Sequence, residues 1–152
     1  MTDNKMFCFQ CQETAKGTGC TIKGVCGKEA ETSKWQDLLL SVVRGVGTIQ
    51  HTLGKNASKE VADFLVDALF STITNANFDD QSILNKVDTG IALKKQLLET
   101  ALSKNITFPN YQEVHWGGEK SDYSAEGERE GVLRNENADL RSLKELTVLG
   151  LK

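Results

Sequence analysis

Four cysteines fall within the first 26 residues, at Cys8, Cys11, Cys20 and Cys26, and none follows in a chain of 152 residues. That asymmetry constrains the fold more than any other feature. A chain of this length buries roughly 70% of the surface it would expose unfolded, so its core can stand without covalent staples. The cysteines therefore serve some purpose other than cross-linking a small core. Their spacing is C-x2-C-x8-C-x5-C. Two intervening residues let Cys8 and Cys11 turn both sulfurs toward one centre, and Gly17, Gly19, Gly24 and Gly27 permit the tight backbone that brings in Cys20 and Cys26. Four convergent thiolates make a metal or cluster site. Structural zinc usually draws its ligands as two short-spaced pairs, whereas cluster sites combine one C-x2-C with longer, unequal intervals. The spacing favours iron–sulfur. A zinc-bound structural or protein-interaction module is the alternative, and disulfides are the poorest reading for a cytoplasmic chain.

That compartment is itself an expectation. No run of about 18 uncharged apolar residues occurs, and residues 1–6 lead into polar, cysteine-bearing sequence instead of a signal core. A cytoplasmic, unprocessed protein is expected. The composition, 39% hydrophobic and 26% charged with a net charge of -3, is that of an ordinary globular domain. With 18 basic against 21 acidic residues there is no polybasic footprint, so neither nucleic acid nor an anionic membrane is expected as a partner.

Beyond the cysteine-rich head (residues 1–32) the pattern is helical. Ser33 with Gln36 fits a capping box, and Leu39, Val42, Val43, Val46, Ile49 and Leu53 follow at three- and four-residue spacings toward Gly54. A second stretch, residues 61–73, places Val61, Leu65, Ala68, Leu69 and Ile73 on one face beside Phe64, with Phe70 in the same core run, before a break over 75–80. A third, residues 81–104, carries Ile83, Leu84, Val87, Ile91, Leu97, Leu98 and Leu102. Three helices over residues 33–105, joined by short polar loops, predict an antiparallel three-helix bundle and an all-α fold. Residues 106–137 read as an irregular connection holding the only proline, Pro109. Its acidity, seven acids against three bases over residues 117–139, reads as a solvated loop. A further helix starts near Asn137, with Leu140, Leu143, Leu146 and Leu151 as its apolar face, and reaches the end of the chain at Lys152 uncapped. It reads as the start of a second bundle in a truncated chain. Residues 34–38 and 142–146 also align weakly at an offset of 108.

The residues around the cysteines carry a resemblance. Residues 6–17 (MFCFQCQETAKG), 19–21 (GCT) and 24–28 (GVCGK) resemble the N-terminus of the hybrid cluster protein family, the prismane proteins or hydroxylamine reductases. The likeness continues through residues 67–79 (DALFSTITNANFD), 131–133 (GVL) and 139–146 (DLRSLKEL). It implies a 4Fe-4S cluster held by Cys8, Cys11, Cys20 and Cys26, which match the family's short-interval ligand pattern found in anaerobes; a longer-interval version goes with a 2Fe-2S cluster. It further implies electron transfer from a redox donor protein toward the catalytic hybrid iron–sulfur–oxygen cluster, where the parent enzyme reduces hydroxylamine to ammonia, or nitric oxide. The histidine, glutamate and cysteine ligands of that cluster lie in later domains of much longer family members. The chain alone is therefore expected to be catalytically inactive, with the remaining domains of the parent enzyme as its partners.

Other residues have structural readings. His51 lies near the end of the first helix, where a cation favours the last carbonyls, and nothing assigns a role to His115. Trp35 and Trp116 read as packing anchors, Glu13 and Glu29 as surface carboxylates, and Asn75 and Asn77 as an interhelical turn. Of the head residues, Met6, Phe7, Phe9, Ile22 and Val25 are the candidates for burial. Lys5, Lys16, Lys23 and Lys28 read equally as solvated loop residues and as cations that raise a cluster's potential.

Overall fold

Helix α1 (Ala30–Thr52) forms because Leu38, Leu39, Val42, Val43, Val46 and Ile49 recur at helical spacing, and all six are buried. Each such side chain removed from water contributes roughly 1.5–3 kcal/mol. The structure is a computed structural model that describes residues 5–54, 56–73 and 78–152. Helices α2 (Lys59–Ile73) and α3 (Asp80–Leu102) pack against α1 and against each other. Three shorter or later helices follow: α4 (Gln112–His115), α5 (Tyr123–Glu130) and α6 (Ala138–Leu151). Among the described residues there is no β-strand, and the fold is all-α as expected. No helix among them is long and apolar enough to cross a membrane.

The bundle closes tightly where three helices meet. A Cβ at Gly90 of α3 would come within 2.4 Å of the Phe64 ring of α2 and 2.5 Å of Val42 of α1. Thr32 at the start of α1 donates to Asp80 Oδ1 at the start of α3, at 2.7 Å. Asp79 caps α3, its carboxylate accepting from the amides of Gln81 and Ser82. At the far end of α1, Gly54 adopts φ +65° and donates to the His51 carbonyl, so the helix stops near Gly54 as expected.

Four local expectations need correction. First, α1 begins at Ala30, and the Ser33–Gln36 capping box does not form. The Ser33 amide already donates to the Glu29 carbonyl inside the first turn, and both side chains are buried. Second, Phe70 is 63% exposed. Nine residues at about 100° each put it half a turn from Val61, off the face that holds Val61, Phe64 and Ala68. Third, Leu102 is 71% exposed, because the chain returning from α3 covers its neighbour Ala101, whose carbonyl accepts from the Ile106 amide. Fourth, the 106–137 connection is no solvated loop. It folds into α4 and α5, both docked on α1.

That docking is built from polar contacts the periodicity of the bundle does not reveal. Lys94 is buried in α3, and its ammonium donates to the carbonyls of Glu113 (3.0 Å) and Trp116 (2.6 Å) at the end of α4. Burial lowers the Lys94 pKa to about 8. Gly45 of α1 gives α4 its seat, since a Cβ there would lie 2.3 Å from the Glu113 carbonyl oxygen. Tyr123 joins the core, its hydroxyl donating to Asp88 Oδ1 at 2.6 Å. Two acids of the segment are paired: Arg129 forks between Glu126 and Glu130, and Arg44 reaches Glu130. Trp35 and Trp116 pack against the core, as anchors do. The expected turn at Asn75 and Asn77 lies outside the described residues.

Helix α6 starts where expected, Asn137 capping it by accepting from the amides of Asp139 and Leu140. Its leucines face outward: Leu140, Leu143, Leu146 and Leu151 are 49–78% exposed. Glu145 is the residue of α6 that is buried.

Candidate metal centre

The head is folded around its own cysteines. Cys8 and Cys20 form an isolated antiparallel bridge, each amide donating to the other's carbonyl at 3.1 and 2.9 Å. The amides of Lys5 and Met6 both donate to the Thr21 carbonyl and extend the pairing. Met6 and Phe7 are buried and pin this segment to the body of the protein, with the Arg141 guanidinium 5.7 Å from the Phe7 ring centre. Gly19 is required beside them. Its φ is +112°, and a Cβ would stand 2.7 Å from the Phe7 ring. Phe9 is half-buried, but Ile22 and Val25 are 66% and 61% exposed, contrary to expectation. They sit on the turns that lead into and out of the cysteines.

Cys11 opens a turn whose carbonyl accepts from the Thr14 amide. Thr14 then doubles back: its hydroxyl donates to the Cys8 carbonyl at 3.2 Å and lies 3.6 Å from Cys20 Sγ. The Ala15 amide donates to that same sulfur at 3.4 Å. Cys20 is buried, Cys8 and Cys11 are half-buried and Cys26 is exposed. Burial pushes the Cys20 thiol up, yet the backbone amides of Ala15 and Val25, the Thr14 hydroxyl and the charge of Lys28 outweigh it and leave the pKa lowered. At Cys8 burial prevails over Lys28 and the Gln10 amide, and the pKa is raised. No two of the four cysteines are joined by a disulfide. The structure sets Cys8 beside Cys20 and carries Cys11 and Cys26 on flanking turns. Among the described residues no three of His, Cys, Asp or Glu close on one point at the distances of a single ion.

Lys28 stands apart from the other lysines of the head. Lys5, Lys16 and Lys23 are exposed, and Lys23 pairs with Glu29. Lys28 is only 2% exposed and directs its ammonium at Cys8 Sγ, 3.7 Å away. Behind it lies a cavity of about 130 Å³ bordered by Cys8, Lys28, Gln36, Asp37, Glu145 and Lys152. Gln36 Nε2 is buried there with no hydrogen-bond partner among the described residues. Asp37 of α1 and Glu145 of α6, which correspond in the two segments that align at an offset of 108, face each other electrostatically across this space. Burial, and then Glu145, raise the Asp37 pKa to about 7 against the charges of Lys152, Lys28 and Arg44. Sequence reasoning missed this cluster, because Asp37 and Glu145 read as ordinary polar positions of amphipathic helices. The histidines stay apart: His51 is exposed in the last turn of α1, and His115 is exposed against the Pro109 carbonyl. Glu13 and Glu29 are surface carboxylates.

A family model described as Prismane/CO dehydrogenase family matches residues 6–152, head and helices together. The chain belongs to this family. Within it, the chain is similar to a hydroxylamine reductase of Bacteroides fragilis (strain YCH46), with 48% identity over 150 residues, covering 97% of this chain and 27% of the relative. A hydroxylamine reductase of Porphyromonas gingivalis is 43% identical over 154 residues, covering 99% of the chain and 28% of the relative. One from Nitratidesulfovibrio vulgaris is 40% identical over 156 residues, covering 97% and 28%. This prismane-family chain thus spans about a quarter of the length of the curated relatives it matches.

Proposed function

We propose that the chain supplies, through Cys8, Cys11, Cys20 and Cys26, the four thiolates of a 4Fe-4S cluster, and that it is the electron-transfer portion of a hydroxylamine-reducing enzyme. The observation that carries this reading is Lys28. An ammonium withdrawn from water needs a negative group at close range, and the side-chain atom this one reaches is Cys8 Sγ. A thiolate-held group of net negative charge meets that need. The donors on Cys20 support the same reading, since amide and hydroxyl hydrogen bonds to sulfur are among the means by which proteins tune iron–sulfur centres. The interval pattern adds to this, and a cube of iron and sulfide holds its thiolates further apart than one tetrahedral ion does.

When bound, such a cluster accepts and passes on single electrons. The residues of this chain hold and shield it: the Cys8–Cys20 bridge fixes two ligands, Thr14 and Ala15 orient Cys20, and Lys28 supplies counter-charge. Four thiolates leave no open position for a substrate, so reduction of hydroxylamine to ammonia, or of nitric oxide, belongs to a hybrid cluster in the further length of the relatives. The chain relays electrons there from a redox donor protein, in the cytoplasm, and is by itself inactive. The test is anaerobic analysis of iron and acid-labile sulfide in the wild-type chain and in Cys20→Ala. Equal numbers of iron and sulfide, mostly lost in the variant, are expected. Colourless protein holding zinc without sulfide would overturn the reading, as would near-full iron and an unchanged reduced paramagnetic spectrum in Cys20→Ala.

A further inference from the structure

Building on that reading, we propose that Lys28 is a positioning residue that sets how readily the group held by Cys8 and Cys20 accepts an electron. Three observations place it there. Its side chain is buried, with the ammonium 3.7 Å from Cys8 Sγ. Its backbone is locked by the head itself, because the Lys28 carbonyl accepts from the Gly24 amide at 2.8 Å. Gly24 in turn leaves room for it: a Cβ there would stand 3.0 Å from Lys28 Cβ and 3.1 Å from Cys26 Sγ. The lysine stem is thus fitted between two cysteine-bearing loops, and any side chain at position 24 would displace it.

The consequence follows from charge. Reduction by an external one-electron donor adds one negative charge to the thiolate-held group, and no bond forms or breaks at Lys28. A fixed ammonium at this distance, in surroundings drained of water, favours the added charge far more than the exposed Lys5, Lys16 or Lys23 can. A lysine that only filled space would be replaceable by any side chain of equal length.

The experiment compares wild type, Lys28→Met, Lys28→Arg and Lys23→Met, each purified anaerobically with iron and sulfide counted, by redox titration followed by electron paramagnetic resonance. Methionine keeps the stem and removes the charge. Lys28→Met should retain iron and sulfide yet show at least a tenfold lower ratio of reduced to oxidised cluster at a fixed potential, which is 59 mV for one electron. Lys28→Arg should restore most of that ratio, and Lys23→Met should match wild type. A fully loaded Lys28→Met with the wild-type potential overturns the proposal, and so does an arginine variant displaced as far as the methionine one. If Lys28→Met loses its metal, retention by Lys28→Arg supports the role of charge and equal loss in both overturns it. If the wild type holds zinc without sulfide, the cluster reading falls by that count alone. Zinc takes up no electron, so that result also overturns the part proposed for Lys28, whereas a fully loaded Lys28→Met with the wild-type potential overturns the part of Lys28 alone.

Discussion

Replacing Asp37 by Asn should stabilise the protein, and by an amount that depends on pH in one direction only. Asp37 of α1 borders the same cavity as Glu145 of α6. Burial, reinforced by Glu145, raises its pKa to about 7, from 3.8 for an unperturbed aspartate. The folded chain therefore keeps a proton that the unfolded chain releases near pH 4. Between those two values the native state binds more protons, so stability falls as pH rises and the full cost is present above about pH 7. Three pH units at about 1.36 kcal/mol each give roughly 4 kcal/mol. Asp37 keeps partial contact with solvent, which screens part of that cost, and about 2–4 kcal/mol is the working range. Asparagine imitates the protonated carboxyl at every pH. Urea unfolding of wild type and Asp37→Asn should give similar stabilities near pH 4 and a gap widening to that range by pH 8. Both proteins share the same head, so any change there at low pH affects them alike and the difference isolates Asp37. A gap that stays constant with pH, or a less stable variant at pH 8, would show that the carboxylate is solvated or paired and that the cavity between α1 and α6 is not a low-dielectric space.

Two further outcomes are expected. Gly90→Ala should cost at least about 1–3 kcal/mol in chemical denaturation, since its methyl would overlap Phe64 and Val42, whereas Gly47→Ala, whose methyl would meet nothing within 4 Å, should be neutral or stabilising. Stripping metal with a chelator should abolish hydrogen-exchange protection over residues 5–29 while most helical circular dichroism persists, because the core of α1, α2 and α3 is built without the cysteines; cooperative loss of all helicity would refute that independence.

The helices were legible in the sequence because their evidence is local. Apolar residues at three- and four-residue intervals announce α1, α2 and α3, Asn137 caps α6, and Gly54 ends α1, so the all-α class follows without knowledge of any partner. The crowding of the four cysteines into a short stretch with glycines between them was legible for the same reason. Where periodicity was pressed further it failed at particular positions. Phe70 and Leu102 are apolar and near enough to a stripe to be counted in it, but whether such a position is covered depends on what lies across from it.

What the sequence by itself determined is therefore the four longer helices, from spacing, and the crowding of four thiols, Cys8, Cys11, Cys20 and Cys26, into one short stretch. What only the tertiary structure decided is the environment of the charges. Nothing local distinguishes Lys28 from Lys23, or Asp37 from Asp63, yet one of each pair is enclosed and the other stands in water. Lys94 and Glu126 were equally anonymous until α4 and α5 folded onto α1 and turned an acidic connection into a docked layer. The physical reason is that burial and electrostatic coupling are properties of distance through space, set by segments as remote in sequence as α1 and α6, whereas helix formation is set by neighbours three and four residues away.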